Sequence, residues 1–116
     1  MNRRIGIAIL GSTGSIGVST LNVLQRHPER FQVIALTAHR DIESLLQQCL
    51  THEPKYAVMV DTGAAEQLRH RLQAAGRPVE VLAGVEGLER VAALPEVASV
   101  MAAIVGAAGL LPTLAA

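Results

Sequence analysis

The chain has 116 residues, half of them hydrophobic and 17% charged, which gives room for one packed core but not two ordinary domains and excludes a disordered tail. Ten basic residues balance ten acidic ones and the only aromatics are Phe31 and Tyr56, so the basic footprint and stacking platform of a nucleic-acid binder are both missing. One cysteine, Cys49, leaves no internal disulfide and points to a reducing, cytoplasmic compartment.

The first element is the apolar run "IGIAIL", residues 5–10, which predicts a short strand. Arg3 and Arg4 before it imitate a signal peptide, but six apolar residues ending at a glycine-rich turn fall short of an export signal. After "GSTGSIG", a helix is expected with Ile16, Thr20, Val23 and Leu24 on its apolar face, stopped by Pro28. "FQVIALTA" reads as the second strand. Asp41 is a good N-cap for a helix carrying Ile42, Leu45, Leu46, Cys49 and Leu50 at helical spacing and ending before Pro54. "YAVMV" is a third strand; Ala65, Leu68, Leu72 and Ala75 mark a helix closed by Gly76, and "VEVLA" a fourth strand. Val85, Leu88 and Ala92 suggest a fourth helix and "SVMAAIV" a fifth strand.

Strands alternating with helices give an α/β fold, a Rossmann-like doubly wound parallel sheet in three α/β/α layers. The last twenty residues, "VASVMAAIVGAAGLLPTLAA", are uncharged and long enough to span a bilayer. Gly106, Gly109 and Pro112 interrupt them and no basic flank follows, so a buried strand, a turn and a helix start fit better and no membrane is expected.

In such a sheet, ligands bind beyond the carboxyl ends of the strands, where strand order reverses, and the first strand-to-helix turn faces them. Gly11, Gly14 and Gly17 occupy that turn: the first suits a tight turn, the second a close approach of backbone to phosphate, the third helix–strand packing. Backbone N–H groups around Ser15 and Ile16 open the helix with free donors at the positive end of its dipole, and the hydroxyls of Thr13 and Ser15 can add bonds to a pyrophosphate. A kinase-type P-loop does not fit, because Ile16 stands five after Gly11 and no lysine follows Gly17.

The end of the second strand, "TAHRD", decides which dinucleotide. NAD-binding folds usually place an acid there for the ribose hydroxyls, and NADP-binding ones an arginine for the 2′-phosphate. Neither Thr37 nor Ala38 is acidic, whereas Arg40 offers a planar fork of donors and His39 can bond or stack. An ordinary solvated loop is the plain alternative, and Asp41 opposes a phosphate electrostatically while serving as helix cap; NADP is favoured. Cys49 reads as a buried inert thiol, and His27, His52 and His70 share no metal-ligand spacing. Gly106 and Gly109 stand where the chain after the fifth strand either nears the ligand or simply turns.

"GSTGSIG", "ALTAHRD" and above all "MAAIVGAAGLLPTLAA" resemble the N-terminal, NADPH-binding region of 1-deoxy-D-xylulose 5-phosphate reductoisomerases, over essentially the whole chain. The resemblance implies an enzyme of non-mevalonate isoprenoid biosynthesis, an oxidoreductase and isomerase. It rearranges a phosphorylated sugar substrate and reduces the aldehyde to 2-C-methyl-D-erythritol 4-phosphate, using NADPH and a divalent metal, Mg or Mn. Carried over by position, Thr13, Gly14, Ser15 and Ile16 would hold the pyrophosphate, and His39, Arg40 and Asp41 the adenosine 2′-phosphate region. The family often has glycine where His39 stands and asparagine where Asp41 stands.

Residues 1–116 are then one NADPH-binding domain that reads as excised, with the family's catalytic and C-terminal domains, its metal ligands included, lying further along a longer protein. No catalytic residue is assigned, the fragment alone is expected to be inactive, and the full-length protein is expected to be a homodimer. Two alternatives stay open: the cofactor domain of another NADP-dependent enzyme of the semialdehyde-dehydrogenase kind, and a non-catalytic dinucleotide-binding module.

Overall fold

The computed structural model describes residues 5–102. The expected strand residues 103–105, and the turn and helix start at Gly106, Gly109 and Pro112, lie outside them. The apolar run Ile5–Leu10 forms β1, which pairs in parallel with β2 (Phe31–Ala38) on one side and β5 (Ser99–Ala102) on the other. Parallel pairing continues from β2 to β3 (Tyr56–Met59) and from β3 to β4 (Glu80–Ala83), so the five-stranded order is β4-β3-β2-β1-β5. Strand order therefore reverses at β1, between β2 and β5. A strand with neighbours on both sides and helices on both faces has to be apolar throughout, as Ile7, Ala8 and Ile9 are, all buried.

The helices are α1 (Ser15–Gln25), α2 (Ile42–His52), α3 (Thr62–Ala74) and α4 (Gly84–Ala92). The first three cover one face, where Leu21, Leu24, Leu45, Cys49, Leu68 and Leu72 pack on Ile7, Ile9, Leu36 and Met59. The other face gathers Val91 and Val97 against Ala8, Ile34, Ala35, Val58 and Val100. This is the doubly wound α/β/α arrangement expected of strand–helix alternation, with the helices changing face where strand order reverses.

Asp41 and Asp61 cap α2 and α3 by accepting the N–H groups of Ser44 (3.1 Å) and Ala64 (3.0 Å). Gly76, at φ +69°, follows the end of α3 as expected. Cys49 is fully buried, and burial pushes its thiol up to about 12, in keeping with an inert core residue.

Two helices turn a different face to the sheet from the one their apolar periodicity predicts. α1 buries Gly17, Leu21 and Leu24, leaving Ile16 and Val23 48% and 54% exposed. α4 buries Gly87 and Val91, with Leu88 and Ala92 partly buried and Val85 61% exposed. In α3 the stripe is Ala64, Ala65, Leu68 and Leu72, while Ala75 is the exposed C-cap.

Close approach is the reason in both cases, of α1 to the backbone of the turn and of α4 to the side chains of Val58 and Leu82. A Cβ on Gly17 would lie 2.6 Å from Ser12 Cα and 2.7 Å from the Gly11 carbonyl oxygen, and one on Gly87 would lie 2.9 Å from Val58 Cγ1. Glycine at these positions lets the helix axis come nearer the strand than any side chain would allow, and the helix rotates to present it.

β2 adds one feature with no sequence signal. Ile7 pairs with Val33 but Ala8 with Ala35, so Ile34 is an extra residue. Ile34 and Ala35 consequently join the same core, and Leu36 and Ala38 fall on the α1–α3 face.

Gly17→Ala is expected to destabilise the fold by about 2 kcal/mol or more, because its new methyl meets backbone that cannot rotate away. Thermal melts should show Tm lowered by roughly 10 °C. An unchanged Tm would mean that α1 is free to back off from the turn.

Candidate functional site

β1 ends at Leu10, and Gly11 turns the chain with φ +73°, a conformation that side chains resist. Two bonds then fasten the turn to β2: Gly11 N–H donates to Thr37 Oγ1 (2.9 Å) and Ser12 N–H to the Thr37 carbonyl (2.8 Å), with Ser12 Oγ 3.2 Å from that same carbonyl. Ser12 and Thr37 are 0% and 2% exposed and are the buried polar residues among those described. Gln48, on α2, completes the junction: Ser12 Oγ lies 2.7 Å from its Oε1, and its Nε2 donates to the Ser12 carbonyl at 2.8 Å.

The turn then opens into α1. Gly14 N–H donates to the Gly11 carbonyl (3.2 Å), and Gly14 is the N-cap, in extended conformation (φ −74°, ψ 168°) and exposed. Any residue can adopt that conformation, so Gly14 is not required by the backbone. The first helical bond runs from Val18 N–H to the Gly14 carbonyl (2.9 Å), which leaves the N–H groups of Ser15, Ile16 and Gly17 ahead of the ladder. No side chain caps them and no acid stands in the first turn. The terminus keeps a concentration of donors and about half a positive charge for an incoming anion. Thr13 is half-buried beside it, and Ser15 and Ile16 are exposed.

The second loop leaves the end of the neighbouring strand. Ala38 is buried, while His39, Arg40 and Asp41 are exposed in the bend before α2. The His39 carbonyl accepts Asp61 N–H (2.9 Å), anchoring the loop backbone to the start of α3. Asp41 is engaged as a cap, and no carboxylate among the described residues pairs with Arg40.

The eight expected site residues are therefore brought to the carboxyl ends of two adjacent strands: Gly11, Thr13, Gly14, Ser15 and Ile16 after β1, and His39, Arg40 and Asp41 after β2. Thr37 is bonded to the first group and sits two residues before the second. Such an arrangement suits an elongated dianion, one phosphate at the helix end and another at the arginine. Among these eight residues no nucleophile is paired with a base.

Sequence reasoning missed Ser12, Thr37 and Gln48. Their partners lie 25 to 36 positions apart, beyond any local pattern, although a polar residue closing an apolar strand marked Thr37 as unusual.

A cavity of about 360 Å³ lies elsewhere, among Leu24, Pro28, Phe31, Thr51 and His52 at the start of β2. It is at the opposite end of the sheet from the turn. Among the described residues no three His, Cys, Asp or Glu side chains gather to hold a metal ion, and no helix is long and apolar enough to cross a membrane.

Known proteins resemble this chain in sequence and in fold. The family model described as 1-deoxy-D-xylulose 5-phosphate reductoisomerase matches residues 7–116. The protein of that name from Nitrosomonas europaea is 60% identical over the whole chain, and that from Methylococcus capsulatus 64% identical over 96% of it. This chain spans 28% of the length of each of these curated relatives.

Among solved structures, a DOX-P reductoisomerase in complex with magnesium superposes over 93% of this chain and 27% of its own, with a TM-score of 0.84 and 39% identity. The reductoisomerase of Zymomonas mobilis in complex with NADPH superposes over 83% of this chain and 25% of its own, with a TM-score of 0.75 and 38% identity. With a family model that covers all but the first six residues and relatives more than half identical, the chain belongs to the 1-deoxy-D-xylulose 5-phosphate reductoisomerase family.

Proposed function

We propose that this chain is the NADPH-binding domain of an enzyme that isomerises and reduces 1-deoxy-D-xylulose 5-phosphate to 2-C-methyl-D-erythritol 4-phosphate. The observation that carries the reading is the uncapped, acid-free N-terminus of α1, held beside the Arg40 loop through Ser12 and Thr37. Relatives named for this reaction, and family structures holding NADPH, support it.

The residues present fit the cofactor. A pyrophosphate needs unpaired N–H donors and close backbone access, which Ser15, Ile16 and the bare Cα of exposed Gly14 offer, with the Thr13 and Ser15 hydroxyls beside them. A 2′-phosphate needs a cation not already spent on a carboxylate, which Arg40 supplies, with His39 next to it. Asp41 lies within the same loop, but its Oδ1 accepts the Ser44 N–H, which draws its charge toward the start of α2. When bound, the nicotinamide supplies the hydride for the reduction. The domain's own share is to grip the phosphates and fix the dinucleotide's direction across the strand ends.

The remaining elements of the reaction belong to this reading as well. One family structure holds NADPH, fosmidomycin and magnesium together. By extension the complete enzyme takes a phosphorylated sugar and a divalent metal, which we assign to the part of the longer relatives that this chain does not span, and pairs as a homodimer.

Two substitutions test the assignment. Gly14→Val should weaken NADPH binding strongly while leaving the melting temperature nearly unchanged, because its extended backbone accepts valine but the side chain fills the phosphate's approach. Equal loss of binding and folding would make Gly14 structural.

Arg40→Ala should weaken NADPH by roughly ten- to a hundredfold and NADH hardly at all, since a charge-assisted bond to phosphate contributes about 1.5–3 kcal/mol. Asp41→Asn should leave NADPH binding equal or tighter, with a difference that shrinks at high salt. Titration calorimetry with both dinucleotides reads these outcomes; a parallel loss of NADH in Arg40→Ala would mean that Arg40 shapes the loop without reading the phosphate.

A further inference from the structure

The polar junction under the turn has a member that neither phosphate loop contains. Gln48 stands in the middle of α2, 36 positions from Ser12, yet its amide makes two bonds to that one residue. The Ser12 hydroxyl lies 2.7 Å from Oε1, and Nε2 donates to the Ser12 carbonyl at 2.8 Å. Bonds of opposite sense fix both the Ser12 side chain and the plane of the peptide that leads to Thr13, the residue before the helix cap.

α2 has no packing need for an amide here. Its core stripe is Leu45, Leu46 and Cys49, whereas Gln48 is half-buried on the edge of the helix that looks toward α1. The shallow groove around it is lined by Val18, Asn22, Gln47, Thr51 and His52, and His52 is the titratable group among them. None of these side chains makes a second bond to Ser12 among the described residues. Without Gln48 the Ser12 carbonyl would lose its partner in a site with little access to water.

We propose that Gln48 is a positioning residue for dinucleotide binding, which acts through Ser12 to hold the Gly11–Gly14 turn in its phosphate-accepting shape before the ligand arrives. Preorganisation of this kind strengthens binding by removing the ordering cost that a loose turn would meet on association. Gln48 touches neither phosphate, so it serves the pyrophosphate turn and does not distinguish NADP from NAD. The inference rests on the dinucleotide reading of the site.

The test titrates the full chain, as wild type, Gln48→Leu and Gln48→Glu, with NADP⁺ and with NAD⁺, and follows each protein by thermal melting. Gln48→Leu should weaken both dinucleotides by a common factor of about tenfold, leaving their ratio unchanged, and lower the melting temperature by roughly 5–10 °C because the Ser12 carbonyl loses its partner. Gln48→Glu separates positioning from mere packing. A protonated carboxyl presents one acceptor and one O–H donor, as the amide does, whereas a carboxylate only accepts. This variant is made in a His52→Gln background, so that the new carboxyl gains no histidine one helical turn away. Its affinity, taken relative to that background at the same pH so that the ligand's own phosphates cancel, should recover as pH falls into the ordinary glutamate range, about 4–5. Gln48→Leu should show no such recovery.

Unchanged affinities in Gln48→Leu, or a loss confined to NADP⁺, would overturn the proposal while leaving the cofactor assignment intact. So would a loss that follows the melting temperature with no recovery of Gln48→Glu at low pH, since the residue would then be only structural. A wild-type chain that binds neither dinucleotide would overturn the cofactor reading itself, and this proposal with it.

Discussion

The junction between Ser12 and Thr37 is the constraint on which the rest of the site depends. Polar side chains are buried only where their bonds are satisfied, and here Ser12 and Thr37 are buried where the sheet meets the turn. Thr37 accepts the Gly11 N–H at its hydroxyl oxygen and the Ser12 N–H at its carbonyl, so the end of β2 and the exit from β1 cannot move independently. No buried side-chain nitrogen or oxygen among the described residues is left without a partner, which is what a turn held in one conformation requires.

From that anchor the helix end follows. Gly11 turns with positive φ, Gly17 lets α1 lie against the backbone of Ser12, and the N-terminus of α1 is thereby held at the carboxyl end of the sheet next to the Arg40 loop. The contrast with α2 and α3 is informative. Both of those helices are capped by an aspartate, Asp41 and Asp61, as an ordinary solvent-facing terminus is, whereas α1 begins on a glycine with no cap and no acid. With glycine as its N-cap, α1 forgoes only about a few tenths of a kcal/mol relative to an aspartate cap. α4 also begins without a side-chain cap, at Ala83, but it carries Glu86 in its first turn; α1 has no acid there, and it leaves β1, where strand order reverses.

Much of this was legible in the sequence, and the rest failed for identifiable physical reasons. The order of strands and helices, the Asp41 cap, the Gly76 stop and the grouping of "GSTGSIG" with "HRD" at one end of the sheet all follow from periodicity, capping and the α/β rule, because these are local signals acting in concert. The faces of α1 and α4 did not follow. Apolar counting takes Ile16, Val23 and Val85 as core, whereas the sheet accepts Gly17 and Gly87, whose advantage is the absence of a side chain. The extra residue at Ile34 leaves no mark in a run that is apolar on both faces. The roles of Thr37 and Gln48 depend on contacts across dozens of residues and become visible only when β1, β2 and α2 are assembled.

The central claim is that the turn after β1 and the loop after β2 form one dinucleotide site, the first taking the pyrophosphate and the second the 2′-phosphate. Backbone amide resonances followed during titration with NADP⁺ and with NAD⁺ test it most directly. Ser15, Ile16 and Gly17 should shift with either ligand, and Arg40 and Asp41 strongly with NADP⁺ alone. Shifts confined to Gln25, Gln32 and Thr51, which line the cavity at the other end of the sheet, with the turn and loop unmoved, would contradict the account.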